Sequence, residues 1–173
     1  IFAQGYGLTE CTGTSAFLSP EEHVIDGPER LSRRLSSCGR EKVNCRQRVV
    51  REDGSEVARD MIDVGEIIIE ADYNMIGYFN MPEETTKVLR DGWLYSGDMA
   101  VMDEDGYIYI RDRKSDMIIS GGINIFPREI EEVLYTHPAV LRAAVVSKAD
   151  EEWGEIIIAY IVLKPGPLLI GAG

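Results

Sequence analysis

The sequence predicts an α+β protein in which a β-rich first part, a small barrel or curled sheet, precedes a second part of mixed helix and strand. Three observations carry this prediction. Short apolar stretches alternate with turn residues up to about residue 111. A charged segment without a hydrophobic pattern follows at 112–116. Beyond it, an amphipathic helical pattern stands among short apolar stretches.

The earliest elements follow from turn residues and from alternation. Residues 1–20 are predicted to contain a strand end, then the polar loop GYGLTE at 5–10. The charged stretch 21–42 is also predicted to be loop. Alternation of apolar and polar residues predicts a strand over 43–49, and an apolar run behind Gly65 predicts a buried strand.

The rest of the first part is predicted as a helix followed by a hairpin. Pro82, near a first turn, indicates a short helix over 80–86. A strand over 93–102 is expected to enter and leave a loop at 96–98. The sequence DEDG then predicts a hairpin turn, and 107–110 the returning strand.

The second part is predicted to have the order β-α-β-β. A strand at 117–119 leads to a tight turn at 120–122. A helix is predicted to begin at Pro127, where the missing N–H costs nothing, and to end before Pro138. Two further strands are predicted at 140–146 and 156–163.

Composition narrows the classes of partner. The chain has 173 residues and a net charge of -12, so it repels nucleic acids and anionic membranes over most of its surface. A phosphate ligand must then meet a local cluster of donors or arrive with a cation. Neither a membrane span nor a signal peptide is expected, and a chain that begins at Ile1 is expected to be part of something longer.

Cysteine usage favours a reducing compartment. Cys11, Cys38 and Cys45 are odd in number and lack the spacing of a zinc site. Free thiols in the cytoplasm are therefore preferred over a disulfide or a metal.

The segment GYGLTE (5–10) is the first candidate for ligand binding. Glycines such as Gly7 allow a backbone to approach a ligand closely, and Tyr6 offers a flat face to a base. Thr9 supplies a hydroxyl, and the Glu10 carboxylate could hold a hard cation such as Mg²⁺. The alternative is an ordinary glycine-rich turn.

Three later segments are further candidates. In WLYSGD (93–98), Asp98 could accept hydrogen bonds from a ribose diol, or it could lie on a solvated turn. In YIRDRKSD (109–116), the three cations Arg111, Arg113 and Lys114 form a positive patch in which a guanidinium could bind hydroxyls or phosphate, or the segment could be a linker with internal ion pairs. SGGIN (120–124) lacks the spacing of a phosphate-binding loop and favours a plain turn.

Taken in this order, the segments resemble the adenylate-forming superfamily, which includes acyl-CoA synthetases, luciferases and the adenylation domains of peptide synthetases. The resemblance runs from residue 5 to about residue 163, and DRKSDMI with GGINIFP looks most like fatty-acyl or aryl CoA ligases. The matching blocks are GYGLTE (5–10), GEIIIE (65–70), GYFNMPEET (77–85), DGWLYSGD (91–98) and DGYIYIRDRKSDMIISGGINIFPREIEEVL (105–134).

The resemblance implies a domain plan and an activity. Residues 1–112 would be the C-terminal, distorted β-barrel part of a large AMP-binding domain, 113–116 a hinge, and 117–173 an incomplete, mobile α+β domain. The parent protein would be an ATP-dependent carboxylate–CoA ligase. It would join a small carboxylate to ATP with Mg²⁺, release pyrophosphate, and transfer the acyl group to CoA.

The resemblance also implies roles for single residues. The nucleotide would be held by adenine contacts from Tyr6 and Ile110, by Gly7, and by Asp98 and Arg113 on the ribose hydroxyls. The catalytic and metal groups would be Thr9 near the α-phosphate and Glu10 on Mg²⁺; Gly122 would lie beside the CoA pantetheine, and Ser115 would be the hinge.

Two departures from the family pattern limit what this chain can do alone. The family's phosphate loop is absent, and so is the lysine that should follow Pro165 in a P-x-T-x-S-G-K-like stretch. The chain by itself is therefore expected to be inactive, with at most weak nucleotide binding. Two alternatives stay open: an adenylation domain that loads a carrier protein, and a binding module that uses the fold without ATP.

Overall fold

The computed structural model describes residues 2–165. The chain divides into two compact units, with the boundary between Lys114 and Ser115. This boundary falls inside the segment 113–116 that the sequence predicts as a hinge. Movement of the second unit stays a prediction.

The first unit is mostly antiparallel β-sheet. Its strands are β1 (Gln4–Leu8), β2 (Gly13–Leu18), β3 (Arg40–Glu41), β4 (Cys45–Val50), β5 (Gly65–Ala71), β6 (Leu89–Arg90), β7 (Trp93–Met102) and β8 (Ile108–Arg113). Its helices are α1 (Glu29–Ser32), α2 (Pro82–Val88) and the 3₁₀ turns Thr9–Cys11, Pro20–Glu22 and Arg33–Ser36.

These strands form two sheets that share a buried core cluster. β1, β2 and β3 make the first sheet; the second has the order β4-β5-β7-β6, with β8 beside β7. Buried side chains from both sheets meet in one cluster, to which Ala16 of the first sheet and Ile67 and Leu94 of the second belong. Burying apolar surface between curved sheets holds such a half-barrel together, at about 25 cal/mol per Å². The predicted curled, β-rich first part is confirmed.

The predicted loop at GYGLTE is wrong, because most of this segment is strand β1. Side chains along Gln4–Leu8 alternate between half-buried and exposed, as in a strand with one covered face. The glycines suggested a loop, but Gly7 is needed for close packing against β2. A Cβ on Gly7 would lie 1.8 Å from the Gly13 carbonyl oxygen on β2, at a point where the pairing of the two strands shifts.

Three other segments are more regular than the sequence predicts. The predicted loop 21–42 contains short helices, among them α1. Residues 96–98 are not a loop, because they continue β7. Arg113 is not in a linker, because β8 runs to this residue and pairs it with Asp98 on β7. Charged side chains hid this strand, since alternation is lost where both faces carry polar groups.

The second unit packs a helix on a four-stranded antiparallel sheet. Its elements are β9 (Ile118–Ser120), β10 (Ile123–Ile125), α3 (Pro127–Tyr135), β11 (Val140–Asp150) and β12 (Gly154–Leu163). The strand order is β10-β9-β12-β11. The helix begins at Pro127 as predicted, whereas β10 was not foreseen, so the order is β-β-α-β-β.

Two further findings bear on chemistry. All three cysteines are free and buried. Over the described range 2–165, no helix is long and apolar enough to cross a membrane.

Candidate nucleotide site

Asp98 lies at the centre of a cluster that joins three of the predicted site residues. The Tyr6 hydroxyl Oη donates a hydrogen bond to Asp98 Oδ2 at 2.6 Å. Arg113 Nε lies 2.8 Å from Asp98 Oδ1, in an ion pair. The Asp98 side chain is only 6% exposed and that of Arg113 is 59% exposed, so the arginine covers a buried carboxylate from the solvent side.

The fold explains how distant residues meet here. Asp98 and Arg113 face each other because β7 and β8 pair in that register. Tyr6 is 92 residues from Asp98 in sequence and lies on β1, in the other sheet. It packs against the core that both sheets share, which brings its hydroxyl to the carboxylate.

The backbone on either side of Asp98 is fixed by its neighbours. The Ser96 hydroxyl donates to the Ile67 carbonyl at 2.7 Å and accepts from the Asp98 N–H at 3.0 Å. Gly97 has φ +75°, in the left-handed region that glycine adopts without strain. Asp98 is therefore held by the strand itself and not only by its side-chain partners.

Tyr6 is a proton donor at any ordinary pH. Burial raises the pKa of its hydroxyl, and the hydrogen bond to Asp98 raises the pKa further. A neutral phenol beside an aspartate keeps one oxygen of that carboxylate hydrogen-bonded without adding charge.

Glu10 is held by a separate contact just beyond the end of β1. Tyr78 Oη donates to Glu10 Oε1 at 2.7 Å, and the Met75 N–H donates to the Glu10 carbonyl oxygen at 2.6 Å. The hydrogen bond to Glu10 is the main cause that raises the pKa of Tyr78, and burial adds to it. Thr9 is exposed at the start of the same 3₁₀ turn.

The remaining predicted site residues have simpler surroundings. Ile110 is half-buried and packs against the same core cluster as Tyr6. In the second unit, Ser115 is exposed and its hydroxyl donates to Asp116 Oδ1 at 2.9 Å. Gly122 is exposed in the turn between β9 and β10, with φ +80°. The segment after Pro165, where the family's lysine was expected and is absent from the sequence, lies outside the described residues.

Sequence reasoning missed two residues that shape this region, Tyr78 and Glu66. Glu66 is buried on β5, accepts the Gly97 N–H at 3.0 Å, and pairs with Lys114 at 3.1 Å. A signal was available, since a glutamate inside the apolar run GEIII must find a partner if it is buried. Tyr78 carried no such signal, because an aromatic residue in a loop has many uses.

Fold and cluster together define a class. A curled β-rich unit, in which Tyr6, Asp98 and Arg113 meet, followed by a small α+β unit, fits the adenylate-forming class that the sequence resembles. The family described as AMP-binding enzyme C-terminal domain matches residues 129–171.

Similar proteins agree with this class. A medium/long-chain-fatty-acid–CoA ligase of Mycobacterium tuberculosis is 42% identical over 164 residues, which cover 95% of this chain and 27% of that ligase. A fatty acid–acyl-carrier-protein ligase of Streptomyces coeruleorubidus is 40% identical over 165 residues, which cover 95% of this chain and 30% of that ligase.

Solved structures give the same answer. An o-succinylbenzoate CoA synthetase of Bacillus subtilis, in complex with an acyl-adenylate, matches with a TM-score of 0.80 and 36% identity over 95% of this chain and 32% of that one. Another structure of that synthetase contains ATP and a magnesium ion. The chain therefore belongs to the adenylate-forming ligases, and it spans about 30% of the length of the relatives that it matches.

Proposed function

We propose that this chain carries the adenosine-binding groups of an AMP-forming carboxylate–CoA ligase. The observation that supports the proposal most directly is the buried Asp98 carboxylate between Tyr6 and Arg113. The similarity to a fatty-acid CoA ligase and to an acyl-adenylate-bound synthetase supports the same reaction for the whole protein.

In this proposal Asp98 binds the ribose. An ionised carboxylate has about four acceptor positions, and Tyr6 and Arg113 occupy one on each oxygen. The remaining positions suit the two hydroxyls of a ribose diol. Arg113, which is largely exposed, swings aside from Asp98 and then donates to the ribose as well.

The adenine base would bind on the apolar side of the same cluster. The Tyr6 ring offers an uncharged aromatic face, and Ile110 packs against the same core cluster. Stacking of a base on an aromatic ring is worth about 1–3 kcal/mol. Because its hydroxyl is fixed by Asp98, Tyr6 is already oriented before the ligand arrives.

Glu10 fits a role on Mg²⁺. Magnesium is usually bound through one or two carboxylates together with substrate phosphates and water, so a single oriented glutamate suffices. Among residues 2–165 no group of three or more His, Cys, Asp or Glu side chains is placed to hold a metal ion. When bound, the ion neutralises phosphate charge, and Thr9 would donate its hydroxyl near the α-phosphate.

The second unit would serve the thioester half of the reaction. We assign Ser115 to the hinge and Gly122 to the wall beside the CoA pantetheine, where the exposed glycine turn allows close approach. We also keep the cytoplasm as the expected location, because the three thiols are free.

A second candidate is transfer of the acyl group to a carrier protein. The 40% identity to a fatty acid–acyl-carrier-protein ligase favours it specifically. Competition between free CoA and a phosphopantetheinylated carrier domain, measured on the whole protein, separates the two. Preferred thioester formation on the carrier would replace the CoA assignment.

The ribose assignment is tested by AMP binding to this chain. We expect AMP to bind with a Kd of about 1 mM, which corresponds to about -4 kcal/mol. Replacing Arg113→Ala or Asp98→Asn should weaken binding about tenfold, because each removes a charged partner of the ribose hydroxyls. Isothermal titration calorimetry measures the Kd for AMP of the unaltered chain and of each variant.

Arg30→Ala is the matched control. Arg30 is an exposed arginine that pairs with Asp105 at 3.0 Å, away from the cluster, so its loss changes charge equally and should leave the AMP affinity unchanged. No heat with AMP would instead favour a module that uses the fold without a nucleotide, and equal affinity in Arg113→Ala would remove Arg113 from the ribose site.

A further inference from the structure

A buried glutamate links the two strands that carry Asp98 and Arg113. Glu66 lies on β5, and its side chain is only 11% exposed. Oε1 accepts the N–H of Gly97, the residue before Asp98, at 3.0 Å. Oε2 pairs with the ammonium of Lys114, the residue after Arg113, at 3.1 Å.

The backbone closes this arrangement. The Lys114 N–H donates to the Gly97 carbonyl at 2.7 Å, so Gly97 and Lys114 are joined once directly and once through Glu66. Gly97 has φ +75° and no side chain to hold it in place. The Glu66 carboxylate therefore holds the Gly97 backbone where no side chain can pack. At this point the pairing of β7 is irregular, and the positions of Asp98 and Arg113 depend on the path of its backbone.

The burial of Glu66 limits the partners that its carboxylate can have. A buried carboxylate must be paired and hydrogen-bonded, and Glu66 meets that requirement through groups on both sides of the Asp98–Arg113 pair. A role in stability alone would not require that both partners adjoin residues of the site.

We propose that Glu66 is a positioning residue for nucleotide binding: through Gly97 and Lys114 it sets the spacing between Asp98 and Arg113. The same contacts fix the backbone immediately before Ser115. The proposal rests on the proposed function, because it assigns Asp98 and Arg113 to the ribose. Glu66 itself does not touch the nucleotide.

Two variants of the full chain test it. Glu66→Gln keeps an acceptor for Gly97 but breaks the ion pair, whereas Lys114→Met breaks the same pair from its exposed end and leaves β5 intact. We expect each to raise the Kd for AMP about fivefold, and the double variant to add little to either, as in a coupled pair. Glu70→Gln is the control, because the half-buried Glu70 lies on the same strand but pairs with the exposed Arg46.

Amide hydrogen exchange separates positioning from general stability. Positioning predicts faster exchange at the amides of residues 97 and 114, with no change at the β4–β5 pair Val49 and Ile67. A merely structural role would speed exchange at both places in parallel.

The possible outcomes separate the positioning role of Glu66 from the proposed function. Unchanged AMP affinity in both single variants, or an equal increase of exchange throughout the first unit, overturns the positioning role while the proposed function stands. If the unaltered chain does not bind AMP, the proposed function fails and the positioning role fails with it.

Discussion

Buried carboxylates are the residues that organise the first unit. Asp98, Glu66 and Asp103 are all buried, and the carboxylate of each is held by more than one partner, through hydrogen bonds or an ion pair. An ionised carboxylate without such partners would cost several kcal/mol in the protein interior. Each carboxylate therefore fixes the segments that supply its partners. Asp98 and Glu66 in this way hold the backbone of the candidate site in place.

The hydrogen bond from Tyr109 allows the contribution of the buried Asp103 to stability to be tested. Its hydroxyl donates to Asp103 Oδ2 at 3.0 Å, and both residues are buried. We expect Tyr109→Phe to lower the free energy of unfolding by about 1–3 kcal/mol, because a buried acceptor loses a donor. Urea unfolding at pH 8 measures this, with Tyr95→Phe, a partly exposed tyrosine of the same unit, as the control.

The same variant tests a prediction about how stability depends on pH. Burial, with the hydrogen bond to Asp103, raises the pKa of Tyr109 to about 12, against about 10 in an unfolded chain. Its contribution to stability is thus complete below about pH 10 and is lost as the pH rises towards 12. Between pH 9 and 11 the unaltered chain should lose more stability than Tyr109→Phe, and an equal loss would show that Tyr109 ionises freely.

At this scale the sequence predicted the identities of the central residues but not their mutual contacts. Tyr6, Asp98 and Arg113 each stood in a recognisable motif, and the structure brings them together. Glu66 and Tyr78 act through partners far along the chain, and such pairings depend on the register of strands. A single sequence does not contain that register.

At the scale of elements, the site depends on the antiparallel pair β7–β8. Asp98 and Arg113 are opposite one another in this pair, and a shift in register follows directly between Met99 and Ala100. Such bulges redirect side chains and recur near binding sites. The backbone of Gly97, just before Asp98, is therefore a part of the site geometry.

Gly97→Ala tests that role. At φ +75° an L-residue is strained, so we expect a loss of about 1–2 kcal/mol in stability and a clear weakening of AMP binding as Asp98 shifts. Gly92→Ala is matched to it, since Gly92 has φ +85° and, like Gly97, open space where a Cβ would be built. It should cost similar stability and leave AMP affinity unchanged; the same AMP affinity in both variants would remove Gly97 from the site.

Elements with a strong pattern were predicted correctly, and those with mixed signals were not. The helix that begins at Pro127 and the buried strand behind Gly65 have unambiguous patterns and were foreseen. β1 was missed because its glycines suggested a loop, although one of them exists to let β2 approach. The end of β8 was missed because it is charged.

At the scale of the whole molecule, the order of motifs carried more information than any one of them. Each motif alone had an ordinary alternative, yet their sequence order predicted the adenylate-forming family. The 42% identity to a CoA ligase confirms that prediction. Substrate choice has no such signature in the 173 residues, since the contacts to the acyl group are expected elsewhere in the relatives.

The chain alone should not complete adenylation. Its sequence supplies groups for adenosine and one carboxylate for Mg²⁺, but it has no match to the family's phosphate loop or to its lysine. Mg²⁺ on Glu10 would neutralise part of the phosphate charge, but donors that hold the phosphates in position contribute much of such catalysis, and those of the loop and the lysine are not among these residues. A coupled pyrophosphate-release assay with ATP, Mg²⁺ and fatty or aryl acids should show no turnover above background, and robust turnover would refute this expectation.

The most direct measurement is a two-dimensional ¹H–¹⁵N spectrum of the full chain titrated with AMP. The cluster around Asp98 predicts saturable shifts at the amides of Tyr6, Gly97, Asp98 and Arg113, and their loss in Arg113→Ala. Shifts that do not saturate, or that are confined to other surfaces such as the Arg30–Asp105 pair, would contradict an adenosine site at Asp98.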